Sequence, residues 1–116
     1  MTSPGPVRRL RVVVGGAGLG DEEHALEAVA RALRDAGHEV IYAGPHQSPD
    51  RVVETAIQED ADLIAVCAPD DHPGLLGALT GLLTDRDAAD IAVEVFAPGT
   101  TAAEVAGWTA GDAPQA

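Results

Sequence analysis

Four short apolar runs recur along this chain, and each is followed by a stretch with a different hydrophobic period. They are residues 10–14 (LRVVV), 39–43 (EVIYA), 62–67 (DLIAVC) and 91–96 (IAVEVF). Runs this short, rich in β-branched side chains, suit strands that are buried on both faces. The intervening stretches place apolar residues three and four apart, which is the spacing of one helix face. Strands that alternate with helices require right-handed crossovers and a parallel sheet.

Local signals set the helix bounds. Asp21 can cap a helix through residue 36, with Leu26, Val29, Ala30 and Leu33 on one face and Gly37 as its stop. Ser48-Pro49-Asp50 reads as a helix start with proline at the first position, and Val52, Val53, Ala56 and Ile57 form its apolar face. A helix of small residues is expected over 75–83. Thr101 and Glu104 have the spacing of a capping box and open a helix that reaches Trp108. The expected fold is therefore α/β: a three-layer, Rossmann-like (flavodoxin-like) parallel sheet of four strands, a fifth left open, flanked by helices. Residues 10–108 form that single domain, between flexible tails at 1–9 and 109–116.

Composition narrows the function classes. The formal net charge is −12 and there is no lysine, which disfavours nucleic acid and anionic membrane as partners. Schiff-base chemistry and a Walker A lysine are likewise excluded. One cysteine allows no internal disulfide, and no apolar run approaches a membrane span, so a cytoplasmic chain is expected.

In a parallel α/β sheet, ligands bind beyond the carboxyl ends of the strands. Here that edge comprises loops 15–21, 44–48, 68–74 and 97–100, all rich in Gly, Pro, His or Asp. The first loop holds Gly16, Gly18 and Gly20 as GxGxG, whereas a dinucleotide fingerprint needs GxGxxG and an acid at the tip of the next strand. A phosphate on the following helix is disfavoured, because Asp21, Glu22 and Glu23 already complement the helix dipole. His24, His46, His72, Asp70 and Asp71 belong to this edge but match no zinc spacing, and His38 belongs to the opposite edge. Asp70 stands roughly where a phospho-acceptor aspartate would, yet no lysine exists to complete such a site. Cys67, at the end of a buried strand without a basic neighbour, reads as structural.

Three stretches carry a family resemblance: RLRVVVGGAG, ALRDAGHEVIYAGPHQSPDRVVETAIQEDADLIAV and DIAVEVFAPGT. Over about residues 10–100 the chain resembles the cobalamin-binding domain of adenosylcobalamin-dependent mutases. That family includes the C-terminal domain of methylmalonyl-CoA mutase and the small subunit of glutamate mutase. The resemblance implies a first-loop motif, Asp-x-His-x-x-Gly, whose histidine ligates cobalt while the aspartate orients it. Counted back from Gly37, those positions fall on Gly20, Glu22 and Ala25, and none matches. His24 is two residues late, and two residues turn a helix by about 200°. The Ser-x-Leu that would accommodate the cofactor's nucleotide tail falls on Cys67-Ala68-Pro69. The paired glycines after the fourth strand fall on Phe96-Ala97. Alternatively APGT matches the turn after the family's fifth strand, and one strand–helix unit is then missing.

The residues that would face a cobalamin are accordingly Gly16, Gly18, Gly20, Asp21, Glu22 and His24 in the first loop, with Cys67, Pro69 and Ala97 beyond strands three and four. His24 is the one candidate metal ligand. Three functions are weighed. The first is a degenerate small-subunit homologue that acts as a binding or assembly module for a larger mutase-like subunit or a second copy, with GLLGALTGLL as contact surface. The second is a cobalamin-carrying component of an isomerase (mutase), which binds the cofactor without the usual histidine or through His24. The third is a small-molecule sensor or receiver-like domain.

Overall fold

The computed structural model describes residues 9–17, 23–68 and 74–109. The chain order is β1 (Arg11–Gly16), α1 (Glu23–Asp35), β2 (Glu39–Gly44), α2 (Pro49–Gln58), β3 (Leu63–Cys67), α3 (Leu75–Asp85), β4 (Ala92–Phe96) and α4 (Ala102–Thr109). All strand pairs are parallel, and the sheet order is β2-β1-β3-β4. Among the described residues the sheet has four strands, so the fifth left open by the sequence is not formed there. No described helix is long and apolar enough to cross a membrane.

The pleat divides the core into two layers. Val13, Ile64 and Val66 point to the face covered by α2 and α3, where they meet Val52, Val53, Ala56, Leu75, Leu79 and Leu83. Val12, Val14, Leu63, Ala65 and Cys67 point to the other face, against Leu26, Val29 and Leu33 of α1 and Val105 of α4. Each fully buried Leu or Val contributes about 1.5–3 kcal/mol relative to an exposed one. No crossover fixes the face of α4, because no described strand follows it. Val105 and Trp108 fix it instead, by packing with Phe96 on the α1 side.

The helix ends follow their signals. Gly37 has φ +97°, and its N–H donates to the Arg34 carbonyl while His38 N–H donates to Leu33. This is the Schellman arrangement, which favours glycine because a Cβ is strained at that φ. The Ser48 hydroxyl accepts from Arg51 N–H with Pro49 in the first turn. At α4, Thr101 N–H donates to the Glu104 carboxylate at 2.9 Å and Glu104 N–H donates back to Thr101 Oγ1 at 3.2 Å.

Two bounds differ from the sequence expectation by two residues, and the others by one at most. β1 runs on to Gly16 rather than ending at Val14, so the glycine-rich turn begins inside the ladder. Its strand pairing explains this: Gly15 pairs with Gly44 and Val66, and Gly16 with Cys67. A Cβ on Gly15 would stand 3.4 Å from the Ala43 Cβ, an ordinary contact, so the ladder at this position does not itself require glycine. α3 extends to Asp85, two residues beyond the expected stop.

Candidate functional site

The strand order reverses direction between β1 and β3, so the crevice at their carboxyl ends is the topological switch point of the sheet. Gly16 and Cys67 end these two strands and are register partners. Cys67 in turn pairs with Phe96, which places Ala97 one residue beyond the ladder. Gly16, Cys67 and Ala97, read from the sequence as one rim, are thus brought side by side. Gly18, Gly20, Asp21, Glu22 and Pro69 lie outside the described residues, as do Asp70, Asp71 and His72.

Main-chain hydrogen bonds carry the ladder past its last residues. Ala17 N–H donates to the Cys67 carbonyl and Ala68 N–H to the Phe96 carbonyl, both at 2.9 Å. Gln47 N–H donates to the Gly16 carbonyl at 2.7 Å, which draws the β2–α2 turn over the end of β1. His46, in that turn, adopts φ +62°. These bonds satisfy polar groups of the crevice within the protein itself.

Below the rim, the space on the α1–α4 face is filled. Cys67 is fully buried. Phe96 is 5% exposed, and its ring centroid lies 5.4 Å from that of Trp108 at a tilt of 39°. Tilted aromatic pairs at this separation add to the energy of burial alone. The pairing of Phe96 with Trp108 was not anticipated from the sequence. Its signal was available: two of the three aromatic residues fall twelve positions apart around a capping box.

His24 occupies the first turn of α1 and is exposed. It lines a shallow groove of about 380 Å³ with Glu27, Ala28, Arg31 and Ala102, between α1 and the start of α4. Its imidazole therefore belongs to an outer helix surface. Among the described residues, no three His, Cys, Asp or Glu side chains converge in a group that could hold a metal.

Residues 10–93 match the B12 binding domain. The chain belongs to the B12 binding domain family. The parallel sheet and flanking helices are those expected from the resemblance. Among characterised relatives, the chain is 33% identical to the pivalyl-CoA mutase small subunit of Xanthobacter autotrophicus, over 84% of this chain and 80% of that protein. It is 51% identical to the 2-hydroxyisobutanoyl-CoA mutase small subunit of Aquincola tertiaricarbonis over 57 residues, 49% of this chain and 42% of that protein. A 59-residue stretch is 39% identical to the fused isobutyryl-CoA mutase of Paraburkholderia xenovorans, covering 51% of this chain and 5% of that protein. The matched stretch thus spans less than half of the Aquincola relative. The chain is a B12-binding domain similar to the small subunits of CoA mutases.

Proposed function

We propose that this chain keeps the scaffold of a mutase small subunit but works as a binding or assembly module for a larger mutase-like subunit, without a histidine-ligated cobalamin. The observation that carries this reading is the Phe96 side chain. It stands where the resemblance implies the first of two glycines, and it is buried against Trp108. A ring and its partner occupy volume that a pair of glycines would leave open.

The donor chemistry points the same way. Gly20 and Glu22 stand at the aspartate and histidine positions of the cofactor motif, and a carboxylate is a poorer ligand for cobalt than an imidazole. Cys67 and Pro69 replace the polar and branched residues of the tail slot. The residues present do not fit the histidine-ligated group. The partner is inferred from the relatives, two of which are named small subunits.

Purification of the tagged chain from cells that produce it naturally tests the assembly role. A stoichiometric complex with a larger mutase-like subunit is expected. A monomer free of any partner would contradict it.

A second reading rests on His24, which is exposed at the start of α1 and near the rim in sequence. In that reading the chain carries cobalamin through His24, and a His24→Ala variant would lose a spectral shift that the unsubstituted protein shows.

A further inference from the structure

Strand β4 lies at one side of the sheet, with β3 as its only strand neighbour among the described residues. Two hydrogen bonds fix which of its backbone groups face outward. Ala92 N–H donates to the Asp62 carbonyl at 3.0 Å, and the Phe96 carbonyl accepts from Ala68 N–H at 2.9 Å. Ala92 and Phe96 therefore turn their backbone groups toward β3. In a parallel ladder alternate residues bond to the same neighbour, so Glu94 does likewise. Val93 and Val95 turn theirs the other way. Two N–H donors and two carbonyl acceptors thus face the open side, where they can template another chain.

The side chains along β4 divide by face. Val93 and Val95 are half-buried and pack against the α2–α3 core. Glu94 stands between them on the α1–α4 face, as the register partner of Ala65. It is half-buried, and it makes no hydrogen bond or ion pair among the described residues. The connection into β4, residues 85–91, adds Asp85, Asp87 and Asp90 against one cation, Arg86. The other outer strand differs. Glu39, at the start of β2, is already paired with Arg11 at 3.3 Å.

The charge at Glu94 selects the occupant. A second copy fits poorly. The two-fold antiparallel register that bonds Val93 of one copy to Val95 of the other sets one Glu94 opposite the other, and like charges so placed are destabilising. A lysine or arginine at that point makes an opposite-charge pair instead. We propose that β4 accepts an extended segment of a partner protein by strand addition, with apolar residues beside Val93 and Val95 and a lysine or arginine opposite Glu94. In antiparallel addition Glu94 takes a non-hydrogen-bonded position, where opposed Cα atoms are about 4.5 Å apart and side chains meet most closely. The proposal rests on the assembly reading given above and adds to it a docking strand and the residue pattern of its partner.

The backbone amides of Val93 and Val95 report on this strand directly. In the free chain they should exchange with solvent as fast as exposed amides. Slow exchange there would mean that the strand is already covered, which overturns the proposal. The isotope-labelled full chain is then titrated, under NMR, with acetyl-Thr-Val-Lys-Val-Thr-amide and with acetyl-Thr-Val-Glu-Val-Thr-amide. The lysine peptide should shift both amides saturably and bind about fivefold more tightly than the glutamate peptide, the combined size of one favourable and one unfavourable cross-strand pair. Glu94→Gln should remove that preference, and Glu94→Lys should reverse it. Shifts that never saturate, equal binding of the two peptides, or a preference that survives Glu94→Gln would overturn the proposal. In a purified complex with a larger subunit, protection of both amides supports it. A complex in which both still exchange fast overturns it and leaves the assembly reading standing. Recovery of no complex contradicts the assembly reading, and the order of the two peptides then decides the role of β4.

Discussion

The imidazole of His38 is 4% exposed, at the turn between α1 and β2. Its Nδ1 accepts the Leu10 N–H at 3.0 Å, so the neutral ring carries its proton on Nε2, which has no hydrogen-bond partner. Protonation would turn Nδ1 into a donor facing another donor. Burial, and secondarily the positive charge of Arg9, holds the pKa of His38 below the ordinary imidazole value. The unfolded chain therefore binds the proton more readily than the folded one. Stability is full above about pH 6.5 and falls as the pH drops below that value toward the folded pKa. Chemical denaturation at pH 7.5 and pH 5.5 should show a lower midpoint at the acid pH, and His38→Gln should flatten the difference. A midpoint difference unaffected by His38→Gln would assign the acid sensitivity elsewhere. The sequence placed His38 at the edge away from the rim, but not its burial. Burial depends on how the segment before β1 crosses the α1–β2 turn, which is a tertiary contact between residues twenty-eight apart.

Element types were legible because each signal acts within one turn or strand. The capping box at Thr101 forms as the spacing requires, and Thr101→Ala should cost about 1 kcal/mol of stability. Hydrogen exchange would detect this first as faster exchange in α4. Element ends were less legible at β1, where glycines that signal a turn instead continue the ladder because β2 and β3 pair with them on either side. The edge position of β4 was not legible, since sheet order depends on long-range pairing. An edge strand exposes unpaired backbone groups that can template association. Glu94 lies in the middle of β4, on the α1–α4 face, between Val93 and Val95. An inward-leaning charge on an edge strand opposes strand addition by a second copy. Glu94→Val should therefore raise self-association, read as earlier elution and greater light scattering at the same concentration. An unchanged monomer would remove that role from Glu94.

At the scale of the whole molecule, the sheet separates two edges of different make-up. The carboxyl edge is the switch point, where Gly16, Cys67 and Ala97 stand together and the ladder is closed by main-chain hydrogen bonds. The amino edge holds Asp62, Asp90 and Trp108 around a cavity, with Arg9 and Arg11 lining the adjoining groove. The sequence made the first edge legible through family spacing, and the departures at Gly20, Glu22 and Ala25 were visible without a structure. What it left out was the packing of Phe96 against Trp108 below that rim, which requires α4 to fold back onto the α1 face. In the reading proposed above, these features separate the scaffold from the histidine-ligated cofactor mode. The most direct measurement is a visible-spectrum titration of the full chain with adenosylcobalamin and hydroxocobalamin at high micromolar concentration. Spectra equal to those of the free cofactors are expected, with no coloured protein after gel filtration. A bound, shifted spectrum that disappears in His24→Ala would contradict it.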